Sequence, residues 1–143
     1  MQGVTTTVAS RQWIFPAGPL AATDAPLGRL SGVAVDSAGN LFAADSDNHL
    51  VVRISPSGVL TVVAGNRVSG FSGDGGPATS ASLYGPFGVA ADAAGNLYIA
   101  DCLNHRVRKV SPAGIMTTAG GNGVQGFSGD GGPASSARVS GVT

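Results

Sequence analysis

Apolar runs of five or six residues follow one another along this chain, each cut short by a cluster of Gly, Asn, Asp, Ser or Pro. None is long enough for a helical period to develop, and the spacing instead fits half-buried strands separated by tight turns. The first clear set begins with a strand over 32–36, followed by the turn Asp36-Ser37-Ala38-Gly39-Asn40, in which Gly39 and Asn40 tolerate positive φ. Strands over 41–45, 49–54 and 59–64 come next, divided by Ser46-Asp47-Asn48 and by Ser55-Pro56-Ser57-Gly58, where Pro presets φ for a turn. Four short strands on such turns predict an antiparallel meander, one twisted sheet that needs neighbours on both faces.

The same pattern returns, predicting strands over 88–92, 96–101, 105–110 and 115–120. Laying 32–87 on 88–143 gives 32 identities in 56 positions without a gap. A fixed period of this size marks stacked or radially arranged units, each burying a face against the next. Tandem four-stranded sheets are the blades of a β-propeller, whose innermost strands line a central channel, whereas hairpin meanders suit a solenoid poorly. A residue that recurs in register is expected to build each unit, and a residue that breaks the register is the better candidate for function.

The segments GVAVDSAGNLFAADSDNHLVVRIS and GVAADAAGNLYIADCLNHRVRKVS share G-V-A-x-D, G-N-L-[FY]-x-A-D and Asn-His at fixed spacing. In that combination the chain resembles the NHL repeats, whose signature stands literally as Asn48-His49-Leu50 and returns as Asn104-His105-Arg106. The resemblance implies an all-β fold of NHL-type propeller blades, four-stranded antiparallel meanders in a ring of about six. An added loop, GFSGDGGPATSASLYGP, separates one blade from the next and is similar to the longer repeats of bacterial NHL proteins. Three stretches are expected. Residues 1–31 carry the outer strand of a preceding blade (5–9) and an inter-blade loop, 32–87 form one blade with its SGDGG loop, and 88–143 form a second with the start of another. PAGPLAATDAP reads as a degenerate copy of SGDGGPATSAS. About two blades plus flanking strands make a partial ring, so closure is expected from further blades of the same protein or from identical copies.

Composition narrows the function classes. Gly and Pro together number 31 of 143 residues, yet they fall at periodic turn positions and so indicate turn-rich β structure, not disorder. All eight acidic residues are Asp, Lys109 is the only lysine, and the seven Arg are scattered on a chain of zero net charge. That leaves no basic stripe for nucleic acid and no apolar run for a membrane span. Cys102 is the only cysteine, which excludes an internal disulfide and a cysteine zinc cluster. MQGVTTTVASRQWIF lacks the charged and apolar regions of a signal peptide, while the resemblance implies an extracellular or periplasmic setting.

Candidate chemistry is sparse. Asp36 and Asp92 end the innermost strands and are the carboxylates expected at a ligand-binding rim. Among residues that break the repeat, Arg11, Trp13, Arg67, Tyr84, Arg106 and Arg138, we single out Tyr84 and Arg106 as ligand contacts. Asp45, Asn48, His49 and their counterparts Asp101, Asn104 and His105 are expected to be structural, with each carboxylate capping its turn and each imidazole bonding within the turn between the second and third strands. Phe71 and Phe127 are expected to anchor the SGDGG loops in the grooves between blades. Those loops lack the Gly-Lys-Ser/Thr of a phosphate loop, and the acidic series of a calcium site is absent. No catalytic set, metal or cofactor is expected. The chain reads as a non-enzymatic interaction scaffold for a protein, peptide or glycan; the alternative is part of a lyase or hydrolase with a metal-dependent site at the channel.

Overall fold

The computed structural model describes residues 19–125, which form two antiparallel sheets. The first contains β1 (Leu20–Ala21), β2 (Leu30–Val35), β3 (Leu41–Asp45), β4 (Leu50–Ile54) and β5 (Val59–Ala64), in the order β1-β5-β4-β3-β2. The second contains β6 (Pro86–Ala91), β7 (Leu97–Asp101), β8 (Arg106–Val110) and β9 (Met116–Gly120), in sequential order. These are the expected meanders, an all-β arrangement of propeller blades. The innermost strands start two residues early, because a register shift between Leu30 and Gly32, and again between Pro86 and Gly88, lets the chain keep pairing through a bulge. His49 and His105 fall outside their strands because each takes a left-handed backbone, at φ 56° and 50°, and closes the preceding turn.

Blade-to-blade burial follows from the two-residue period of the strands. Along β4, Leu50 and Val52 face one side and pack with Ala43 and Leu60, while Val51 faces the other. Between the blades lies a core of Val51 and Ala64 from the first, Ala78, Ala81 and Leu83 from the connecting loop, and Leu97, Ile99, Val110 and Met116 from the second. Leu83, Ile99 and Met116 are fully buried, each contributing about 1.5–3 kcal/mol by leaving water. At the innermost strands the blades nearly touch: a Cβ on Gly32 would lie 2.7 Å from the Phe87 carbonyl oxygen.

The loop between the blades is part of this core. Ala78–Ser80 make one short 3-10 turn after Pro77, as the Pro-Ala-Thr-Ser sequence leads one to expect, and 56 residues earlier Ala22–Asp24 make another. Leu20, Ala22, Ala25 and Leu27 pack on the first blade's other face as Ala78, Ala81 and Leu83 pack on the second blade. The degenerate copy therefore keeps the small apolar contacts and the turn while losing most of its glycines. The strand expected over 5–9 lies outside the described residues.

One latch has no counterpart at the first blade. Arg108, fully buried, donates to the carbonyls of Ser72 and Ser82 and pairs with Asp74 and Asp101, both at 3.1 Å. The other oxygen of Asp74 accepts from the Thr118 hydroxyl at 2.7 Å. One repeat earlier these three positions are Gly18, Val52 and Val62. Charge in the loop and charge in the blade are thus exchanged together for apolar or absent side chains.

Candidate functional site

At one rim, the turn between second and third strands carries the Asn-His signature. Asp101 accepts from the Tyr84 N–H at 2.8 Å and from the Asn104 side chain at 2.7 Å; Asp45 does the same with the Gly28 N–H and Asn48, both at 2.8 Å. Each carboxylate therefore ties its own turn to the incoming loop. Burial pushes the Asp101 carboxyl above its ordinary value, against the opposing hydrogen bonds from Asn104, Tyr84 and Arg108.

The histidine does not bond within that turn. His49 Nδ1 accepts from the Gly85 N–H at 3.0 Å, at the threshold of the next blade, because the left-handed backbone directs the imidazole outward while Asn48 serves the turn. The Tyr84 and His49 rings meet in a T-shaped arrangement, with centroids 5.7 Å apart. His105 Nδ1 is buried with no partner among the described residues. The His49 imidazole is a coupler between blades.

Arg106 is held within the protein, its guanidinium 3.7 Å above the Phe71 ring and donating to the Asn122 and Asn104 carbonyls. Phe71 is 42% exposed and lies under the Arg106 and Arg108 guanidinium groups. It does not fill the groove between blades; that volume is taken by Ala78, Ala81 and Leu83, whose small side chains allow the loop backbone to lie flat on the sheet. Arg11, Trp13, Phe127 and Arg138 lie outside the described residues.

The opposite rim brings Asp36 and Asp92 together in a cleft of about 460 Å³ between the blades. Phe42, Val63, Leu97 and Val110 line it, Pro112 edges it, and Arg53 joins the two carboxylates as its cation. Each Asp closes its own turn. Asp36 Oδ1 accepts from the N–H groups of Ala38 and Asn40, and Oδ2 from the Asn40 side chain; Asp92 repeats this with Ala94 and Asn96 and adds the Tyr98 hydroxyl at 3.4 Å. The asparagine amide leads among the bonds that lower both carboxyls below their ordinary value. Arg53 was not legible as a site residue: it is matched by Lys109 one repeat later, so the difference looked conservative. Its Nε is buried without an acceptor among the described residues.

The turn carboxylates set an acid limb on stability. A carboxyl whose folded pKa is depressed adds stability that is complete above the unfolded value, near 3.8, and lost as pH falls through the folded value. Asp101, whose pKa is raised, acts in the opposite sense, favouring the folded state below 3.8 and losing that contribution as pH rises. Asp92→Asn is therefore expected to lower the melting temperature at pH 6 and to flatten its decline between pH 5 and pH 2 relative to the parent chain. Parallel melting curves across that range that differ only by a constant offset would contradict the linkage.

Comparison with known proteins agrees with this geometry. A family model for the NHL repeat matches residues 27–54, and one for the teneurin NHL domain matches residues 67–137. Mouse teneurin-1 is 34% identical over 92 aligned residues, which take in 55% of this chain and 3% of that protein. The chain thus spans a small part of its curated relative. Among solved structures, a Bacteroides thetaiotaomicron structural genomics protein of unknown function superposes with a TM-score of 0.65 at 18% identity, covering 79% of this chain and 40% of that one. An auxiliary nutrient binding protein from the same organism gives 0.54 at 19% identity, covering 66% of this chain and 27% of that one. At these identities both describe the fold alone.

Proposed function

This is an NHL-repeat β-propeller chain, and from that premise we propose that it is a binding scaffold without catalytic activity, taking a segment of another molecule into the cleft between its two blades. The supporting observation is the cleft itself. About 460 Å³ of space is lined by apolar side chains such as Phe42, Val63 and Leu97 together with Asp36, Arg53, Asp92 and Asn96, a mixed make-up that suits a ligand pocket. Propeller blades suit this role because each sheet is held on both faces, so a slot between them is preformed and costs little ordering entropy on binding. The ring closes around this slot through further blades of the same protein or through copies of this chain.

The test is a screen of the immobilised chain against peptide and glycan arrays, run in parallel with Ala113→Trp. Ala113 is exposed at the cleft edge, so the indole fills the slot without entering the core. Ligands found with the parent chain are expected to be lost by the variant. Hits that bind both proteins equally would place recognition elsewhere and overturn the proposal.

A further inference from the structure

We infer that the cleft recognises the backbone amide of an extended peptide, with Arg53 as donor and Asp36 as acceptor; this rests on the cleft being a binding site. The inference comes from what each blade leaves unpaired. Asp92 accepts four hydrogen bonds, two on each oxygen, which fills the acceptor capacity of a carboxylate. Asp36 accepts three, two on Oδ1 and one on Oδ2, with the Gly39 N–H, which donates to the Asp36 carbonyl, also acting on the carboxyl; Phe42 stands where the second blade has Tyr98 and has no hydroxyl to give. One acceptor lobe on Asp36 Oδ2 is open.

Directly across the strand pair from Phe42 stands Arg53, as Lys109 stands across from Tyr98. The repeat thus changes at two adjacent positions of one sheet face, leaving a lone pair of Asp36 Oδ2 open to solvent beside Arg53 at the cleft. Arg53 Nε is a buried donor with no acceptor among the described residues, a state it shares with Arg108 Nε and that protein interiors rarely tolerate. A ligand that completes both groups must offer one donor and one acceptor.

The walls decide what carries them. A bare carboxylate satisfies Arg53 but meets Asp36, which its turn bonds keep ionised. A lone ammonium satisfies Asp36 and leaves Arg53 orphaned. A sugar supplies both kinds of group but carries several further hydroxyls, for which Val63, Leu97 and Val110 in the lining offer no partner. A peptide unit brings one N–H and one C=O, and small apolar side chains on either side suit those walls and the Pro112 edge.

The experiment is a nitrogen-15 NMR titration of the full chain with acetyl-Val-Pro-Ala-amide, with sodium acetate and methyl glucoside as comparators. The peptide is expected to shift the Arg53 Nε–H resonance and slow its exchange with solvent, and the two comparators to leave it in place. Phe42→Tyr and Arg53→Lys should each weaken peptide binding by about tenfold or more, through the loss of one charge-assisted bond. Both variants install the residue that the second blade already carries at that position, so the sheet accommodates them. A shift with methyl glucoside and none with the peptide overturns the amide inference and leaves the cleft as a binding site. An Arg53 Nε–H unmoved by all three probes at millimolar concentration overturns the inference directly. If array ligands then still depend on an open cleft, the scaffold reading survives it.

Discussion

Replacing Arg108 with valine is expected to lower the unfolding free energy by about 3 kcal/mol, the range for removing one partner of a buried, hydrogen-bonded ion pair. The guanidinium joins three separate pieces of chain: Ser72 and Asp74 of the loop, Ser82 at its end, and Asp101 of the blade. Without it the two serine carbonyls lose their donor, and the loop is left with its backbone bonds, Gly75 N–H to Met116 O and Met116 N–H to Gly76 O among them, and with side-chain bonds such as Thr118 to Asp74. Asp101 is the smaller loss. Asp45 is equally buried with no guanidinium partner among the described residues, sustained by Gly28 and Asn48, so the donors of the turn suffice for the carboxylate.

This internal control makes a sharper expectation. Asp74→Gly, Arg108→Val and Thr118→Val together recreate the Gly18, Val52 and Val62 set of the first blade, and should recover most of what Arg108→Val alone loses. Guanidinium denaturation of the single, double and triple variants measures the coupling as a cycle. Strictly additive losses would show that the three residues do not act as one latch.

Gly65→Ala is expected to be worse tolerated than any truncation of a surface side chain, at about 3 kcal/mol or more. Gly65 follows the outer strand with φ at 95°, a conformation that a Cβ disfavours, and that Cβ would fall on the His49 carbonyl oxygen. Its N–H meanwhile donates to Ala78 O at 2.9 Å, tying the strand end to the inter-blade loop. Relieving the clash means moving the turn that holds His49, and with it the bond to Gly85 that joins the blades. Thermal unfolding should therefore broaden as well as shift, as the two blades cease to melt together. An undiminished melting temperature would show that the turn has room to give.

The strands were legible because the period of their side chains and the punctuation of their turns are local properties. Asn40 and Asn96 sit four residues after an Asp, and the carboxylate–amide closure follows from that spacing whatever the rest of the chain does. The short turn after Pro77 and its echo at Ala22–Asp24 were legible in the same way. The cleft carboxylates, Asp36 and Asp92, could be singled out because they end innermost strands, although what they face could not.

Four side chains were read differently from their sequence than from their surroundings. His49 looked like a turn residue, and it reaches Gly85, 36 positions on. Phe71 looked like a groove anchor, Arg106 like a ligand contact, and they stack on each other. Arg53 drew no notice beside Lys109. What the first three share is a partner brought in by the packing of one sheet and one loop against the next.

The amino-acid sequence by itself determined the repeat, the strand and turn plan of each blade and the small-residue character of the connecting loop, because those depend on backbone propensity and on side-chain alternation within a few residues. Only the tertiary structure decided which face of one blade meets the next, that Arg108 is buried while Arg106 lies on an aromatic ring, and that Arg53 and Asp36 line one cleft. Desolvation and hydrogen-bond completion are properties of a site's surroundings, and those surroundings come from chain segments tens of residues apart.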